Sequence, residues 1–323
     1  MATPEPVRGP VPVEAAPAQP GKEAQPDQKA ARVSPYPGQE TVLPVALAKP
    51  LRELEKLIEQ PLILIVQDTA NATSGCAQSF DNHVRDACTM ALKGCEPKRP
   101  VTVLLHSAGG QADAAFQAAR CIQRHCGSFS VIVPRYAKSA ATLFALGASK
   151  IYLNDVGELG PLDVQLFDVD QERYASGLDE VQSLERLHSQ ALSMLDSTMQ
   201  LLVRRTGKRT DVLLPHTINY VTHFMRPLLE KIDAVHYTAT ARLLRVAEMY
   251  AVRLMEGAGY SSEHAEQSAA DLTHGYPEHG FAVDIGEAER VGLRVESVPD
   301  AQKELLGQIM QVLEPLPLVG RLT

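Results

Sequence analysis

Apolar positions along this chain follow two regimes. Between about residues 60 and 153, short apolar runs alternate with stretches of helical spacing. Leu62–Val66, Val101–Leu105, Phe129–Val133 and Ile151–Leu153 are near-continuous runs of strand length. Such runs, without polar alternation, are the pattern of strands covered on both faces. Leu51–Ile58, Cys76 to about Leu92, Ala112–His125 and Ser139–Leu146 carry helical spacing. Strands alternating with helices at this interval predict right-handed crossovers and a mostly parallel sheet. After Asp163 the pattern lengthens. Leu178–Arg205, Ile218–Ile232, Thr238–Glu256 and Glu263–Leu272 read as helices, so residues 178–275 are expected to be mainly helical. A short Phe281–Val283 strand and a Gly286–Gly292 segment follow.

Composition sets the boundaries of this α/β unit. The first 50 residues hold 11 of the 22 prolines and show no sustained apolar period. Residues 1–45 are therefore expected to be a disordered Pro/Ala-rich tail, 50–295 the folded domain, and 296–323 a C-terminal tail ending in a loose Pro315-Leu-Pro-Leu. No internal repeat is visible. Hydrophobic residues make up 45% of the 323 positions, enough for a sizeable core, and aromatic residues only 5% with no Trp, which suits aliphatic α/β packing.

Charge removes whole function classes. A net charge of −8 disfavours nucleic-acid binding, which rests on basic residues neutralising phosphates. No window approaches the run of about 18 apolar residues that a membrane span needs. The N-terminus lacks the basic-then-apolar order of a signal peptide. The five cysteines include no Cys-x-x-Cys pair. A disulfide framework is not expected, and a reducing cytoplasm is the simpler location. Cys121, His125 and Cys126 fit no common zinc spacing and read as helix-buried residues. Arg204–Arg209 reads as a solvated helix end with a glycine stop. Asn71-Ala-Thr73 matters as a glycosylation site only in a secreted protein.

Two strand-to-helix turns carry the candidate chemistry. Leu105-His-Ser-Ala-Gly-Gly110 joins a buried strand to a helix, and its adjacent glycines let bare N–H groups approach a ligand closely. The helix N-terminus behind them favours negative charge, as an oxyanion hole requires. A plain structural turn is the competing reading. Pro134-Arg-Tyr-Ala-Lys-Ser-Ala-Ala-Thr-Leu-Phe-Ala-Leu-Gly-Ala148 forms the second turn, with Ser139 at the first helical turn. Ser139 is either an ordinary N-cap or a nucleophile. Both turns lie at carboxyl ends of parallel strands, where open α/β sheets place their sites.

Together these motifs resemble a known family. Leu-His-Ser-Ala-Gly-Gly is similar to the glycine turn of Clp-type proteolytic subunits and signal peptide peptidase A. Ala-Lys-Ser-Ala-Ala-Thr-Leu, followed by Glu158-Leu-Gly-Pro-Leu-Asp163, resembles the serine dehydrogenase proteinase family of the ClpP/crotonase superfamily. The likeness covers roughly residues 60–295, including His279–Leu293. It implies a ClpP/crotonase-like α/β fold and serine peptidase chemistry on a peptide or protein substrate. It further implies a homo-oligomer and no metal or organic cofactor. Ser139 matches the nucleophile. Gly110, with Gly109 beside it, and Ala140 match the two oxyanion donors. The base stays open. Clp-type subunits place a histidine near Leu162–Val164, where this chain has Asp163. Asp163, His106 and Lys138 are candidates, followed by His274, His279 and Lys150. Two other functions remain compatible with these residues: an inactive scaffold or regulatory subunit, and a crotonase-type acyl-CoA enzyme using the same paired N–H groups.

Overall fold

An aliphatic strand with no polar alternation has to be covered on both sides, and this chain covers its strands with helices drawn from both ends. The structure is a computed structural model that describes residues 32–36, 39–67, 79–168, 173–313 and 318–321. In chain order the elements are β1 (Arg32–Tyr36), β2 (Gln39–Val42), α1 (Val45–Ile58), β3 (Leu62–Val66), α2 (Asn82–Leu92), β4 (Val101–His106), α3 (Ala112–Cys126), β5 (Phe129–Val133) and β6 (Tyr136–Ala137). They continue with α4 (Ala140–Ala145), β7 (Lys150–Leu153), β8 (Glu158–Leu159), β9 (Gln165–Asp168), β10 (Arg173–Ser176), α5 (Gly177–Thr206), α6 (Thr210–Leu229) and α7 (Ala234–Gly257). The last are α8 (Ser262–His274), α9 (Ile285–Arg290), β11 (Val295–Ser297), α10 (Asp300–Leu313) and β12 (Leu318–Arg321).

The main sheet runs β11-β7-β5-β4-β3-β12 and is parallel except for β12. From β3 to β7 each crossover steps in the same direction, so right-handed connections put α2, α3 and α4 on one face. Alternate strand residues face opposite sides. Ile63, Ile65, Val103, Leu105, Val131 and Val133 join the core under α2, α3, α4 and α7. Leu62, Leu64, Val66, Leu104 and Ile132 join a second core with Leu47, Leu51 and Leu54 of α1 and Leu306 and Ile309 of α10. The predicted mostly parallel α/β sheet is therefore present, with each apolar run split between two cores.

Both ends depart from the expected tails. Of residues 1–45, positions 1–31 and 37–38 lie outside the described residues, while β1 and β2 pair as an antiparallel hairpin. Val33 is fully buried in the second core, which explains why that stretch is ordered. Residues 296–323 are not a tail. They supply α10 and β12, and β12 pairs antiparallel with β3, burying Leu318 and Val319. The Pro-Leu-Pro-Leu stretch is outside the described residues except for Leu318, as are the Cys76 start proposed for α2 and the Asn71-Ala-Thr73 triplet. Phe281–Val283 is reduced to a single bridge from Val283 to Leu159.

The helical half forms as expected, with longer helices. α6 begins eight residues before its predicted start and runs through Pro215. α5 ends at Gly207, whose φ of 63° gives the left-handed stop that the basic Arg204–Arg209 run suggested. No helix among the described residues is long and apolar enough to cross a membrane. The four described cysteines are free thiols. Burial pushes the Cys88 thiol up to about 12 and Cys126 up to about 11.

One buried amide ties the helical half to the sheet layer. Gln123 on α3 donates through Nε2 to Gly147 O (2.8 Å) and to Leu254 O on α7 (2.9 Å). Gln123→Leu should lose both bonds and leave the Gly147 carbonyl without its donor. A stability loss of about 2 kcal/mol is expected in urea unfolding, and an unchanged midpoint would show that this anchor contributes nothing.

Candidate active site

At the carboxyl ends of the main strands the chain builds a second, smaller layer. Ser107, just beyond β4, accepts from Lys138 N (3.0 Å) and donates its N–H to Tyr136 O (3.1 Å). β6 pairs in parallel with β8, and Glu158 N reaches Arg135 O at 2.8 Å. Leu159 and Val283 exchange two backbone bonds of 2.9 and 3.1 Å. On the other flank, Phe80 N donates to Gly109 O and Gln111 N to Phe80 O, each at 2.7 Å. Five segments far apart in sequence are thus held in one ladder.

That ladder presses the two candidate turns together. Gly109 has φ 100° and Gly110 φ 151°, conformations that L side chains rarely adopt. A methyl group built on Gly109 would lie 2.5 Å from Lys138 O and 2.9 Å from Ser139 Cβ. One built on Gly110 would lie 2.4 Å from Phe80 O. The glycines are therefore required by close approach as well as by backbone angle. The Gly109 N–H is taken by Ser107 Oγ (3.0 Å), whose hydroxyl in turn donates to Gln67 Oε1. The N–H groups of Gly110 and Ala140 have no hydrogen-bond partner among the described residues.

Ser139 stands at the N-cap position of α4, but its side chain makes no capping bond. Its φ of 50° with ψ −117° is a sparsely populated backbone conformation, a strain of about 1–3 kcal/mol that the surroundings must hold. The neighbouring Thr142 does the local tethering instead. Its hydroxyl donates to Ala137 O (2.6 Å) and accepts from Gly160 N (2.9 Å). The Ser139 hydroxyl is left for other use.

A cavity of about 830 Å³ opens beside these turns, and Gly109, Gly110, Ser139, Ala140, Asp163 and His279 all line it. Its wall is apolar: Leu143, Leu162, Leu243, Val246 and Tyr250 contribute, the last three from α7. Asp163 is 3% exposed. One carboxylate oxygen, Oδ1, accepts from Leu178 N at the start of α5 (3.2 Å). The other, Oδ2, lies 3.8 Å from His279 Nδ1. Both of these atoms are buried, and neither has a hydrogen-bond partner among the described residues. Burial holds the His279 pKa below its ordinary value; the Asp163 charge opposes that shift and the Lys138 charge adds to it.

The remaining base candidates lie elsewhere. His106 is buried at the end of β4, its ring 4.1 Å from that of Tyr136, and it does not line the cavity. Lys138 turns away from the cavity and lies 2.8 Å from Glu158 Oε1. Lys150 pairs with Glu296 at 2.7 Å, and His274 lies 3.8 Å from Glu248. Sequence reading ranked His279 low. Its signal was its place two residues before Phe281, in the segment whose Val283 pairs with Leu159. Among the described residues, no group of three or more His, Cys, Asp or Glu side chains is arranged to hold a metal ion.

Adding a side chain at the glycine turn tests this geometry. Gly110→Ala, with Phe80 O in the way and an unfavourable φ, should lower the thermal midpoint by several degrees. A variant with wild-type stability would contradict the close packing.

The chain resembles known proteins at the level of family, curated relatives and solved structures. Residues 83–203 match the profile of the ClpP-like SDH-type serine proteinases. Two uncharacterized proteins of Methanocaldococcus jannaschii are each 25% identical to the chain, over 211 and 221 residues. These alignments take in 65% and 68% of this chain but only 58% and 60% of those proteins, so the chain spans about three fifths of their length. ClpP1 from Listeria monocytogenes aligns over 77% of this chain and 98% of its own at 13% identity and a TM-score of 0.39. The matched residues 83–203, a little over a third of the chain, include the diglycine turn, Ser139 and Asp163.

Proposed function

We propose that the chain is a serine peptidase with Ser139 as nucleophile, His279 as general base and Asp163 as the group that orients the imidazole. The observation that carries this reading is the buried pair Asp163 Oδ2 and His279 Nδ1, face to face at 3.8 Å without other partners, at a cavity that Ser139 also lines. A separation of 3.8 Å is longer than a hydrogen bond, and such contacts commonly tighten only when substrate binds.

The chemistry follows from these positions. Ser139 Oγ attacks the scissile carbonyl carbon while His279 takes the hydroxyl proton. The carbonyl oxygen becomes an oxyanion that the N–H groups of Gly110 and Ala140 receive. The imidazolium, steadied by the Asp163 carboxylate, then gives its proton to the departing amine, leaving an acyl-serine. Water attacks that ester with His279 again as base, restoring Ser139. Leu178 N–H and the N-terminus of α5 stabilise the Asp163 charge throughout. The apolar α7 wall suits a peptide with a hydrophobic side chain next to the scissile bond.

Relative to a scaffold or a crotonase-type acyl-CoA enzyme, the strained Ser139 favours hydrolysis. Neither alternative needs a serine held at φ 50° with its hydroxyl kept free of a cap. Assembly with further copies of the same chain is part of the proposal. It is supported by Leu214, Ile218, Phe224 and Leu228 of α6, which are exposed apolar residues on the helical arm.

Ser139→Ala should abolish fluorophosphonate labelling and lower kcat for peptide cleavage by about 10⁴-fold or more. His279→Ala should do nearly the same, and the double variant should be no worse than either alone. Labelling that survives in Ser139→Ala would refute the assignment. The pH dependence carries a sign. A base must be neutral, and the His279 pKa is held below the ordinary 6.5. The acid limb of kcat/KM should therefore fall below pH 6.5, with activity present above it and lost as pH drops through it. A limb well above pH 7 would exclude His279 as the base.

A further inference from the structure

Lys138 is the chain neighbour of Ser139, yet its ammonium lies away from the cavity and is shared among two other segments. It lies 2.8 Å from Glu158 Oε1 and donates to Leu159 O at 3.0 Å and to Phe281 O at 3.3 Å. An ammonium has three N–H groups, and these three acceptors account for all of them. We propose that Lys138 is a positioning residue, a clamp that fixes the Asp163 and His279 segments to the Ser139 turn. The inference rests on the reading of those three residues as the catalytic set.

The clamp's anchor points explain its reach. Leu159 stands four residues before Asp163, and Phe281 two residues after His279. The Leu159–Val283 backbone pair ties the same two segments, but at a single residue on each side. Without the ammonium, the turn that carries Ser139 would keep its β6–β8 pairing and the Gly160 N to Thr142 Oγ1 bond to the Asp163 segment. The side-chain route is also built into the sequence. A methyl group on Gly160 would lie 2.8 Å from Lys138 Cδ, so a bare glycine leaves room for the lysine stem. The side chain is 17% exposed, which keeps water from competing for the two carbonyls. Glu158 balances its charge, so the buried cation is not left uncompensated.

The same cation faces the base. The charges that act on His279 are the Asp163 carboxylate, which raises its pKa, and the Lys138 ammonium, which lowers it. Asp113 lies further along the cavity wall, and Glu278 and Tyr276 sit on the histidine's own loop, Glu278 exposed to solvent. Removing Lys138 should therefore raise the His279 pKa, whereas removing the Glu158 charge should unmask the ammonium and lower it further.

The test compares Lys138→Met and Glu158→Gln in the full chain with a peptide substrate. Lys138→Met should lower kcat by about 10- to 100-fold with KM within about twofold, because misplacement acts on the reacting geometry. Its acid limb should move to higher pH, while that of Glu158→Gln moves to lower pH. Amide exchange should speed up at 159–163 and 281–283 in Lys138→Met and stay unchanged in β4 and β5. Unchanged kcat, limbs that move in the same direction, or unchanged exchange would overturn the clamp. If Lys138→Met fails to fold, Lys138→Gln is read in its place: lowered kcat with faster exchange at 159–163 and 281–283 supports the clamp, and unchanged kcat and exchange overturn it. Fluorophosphonate labelling of the wild type separates the two claims. A wild type that is not labelled at Ser139 overturns the hydrolase reading, and the exchange data then still establish or refute the clamp.

Discussion

Everything functional in this chain depends on backbone hydrogen bonds made where the main strands end. A parallel sheet delivers its strand termini to one edge, but nothing in the sheet itself brings the outgoing loops together. The bonds Ser107 N to Tyr136 O and Lys138 N to Ser107 O do that for the diglycine and serine turns. Phe80, Glu158 and Val283 extend the ladder on either side. Unpaired backbone groups buried at such an edge would be costly, so the ladder is both the satisfaction of those groups and the frame of the site. The left-handed glycines and the strained Ser139 are affordable only inside it.

The large-scale fold was legible because the hydrophobic effect writes a simple code in buried strands. Leu62–Val66 and Val101–Leu105 have no polar residue except Thr102, and both cores are visible in them by parity alone. The two turns were legible for a different reason. Glycine pairs and a serine directly after strands are local features, and local features survive in one sequence. The ends of the chain were misread because their ordering is tertiary. Val33 and Leu318 carry little local signal, and they are ordered because α1, α10 and β3 offer them a buried surface. The proline content near the N-terminus pointed the other way.

The proposed base illustrates where sequence reasoning stops. Asp163 and His279 are more than a hundred residues apart, with α5, α6, α7 and α8 between them. No spacing rule links two residues across so long an excursion. What joins them is the Leu159–Val283 pair, a single bridge that leaves no periodic pattern. His106 misled for the converse reason. It sits within the glycine motif, but as the last residue of β4 its side chain is set by strand alternation, and it packs on Tyr136.

Adjacency in sequence is a poor guide to adjacency in chemistry here, and Lys138 makes the point physically. Consecutive residues around an extended segment point to opposite sides, and the positive φ of Ser139 turns its own side chain toward the cavity. The lysine is thereby committed to the reverse side, where Leu159, Phe281 and Glu158 wait. A lysine base would have to face the serine hydroxyl, but this ammonium spends its N–H groups on a carboxylate and two carbonyls on the other side. The arrangement that disqualifies Lys138 as a base is the one that makes it useful as a tether. Its charge acts on the imidazole through space, after burial and the Asp163 carboxylate, while its bonds to Leu159 and Phe281 reach the segments that carry Asp163 and His279.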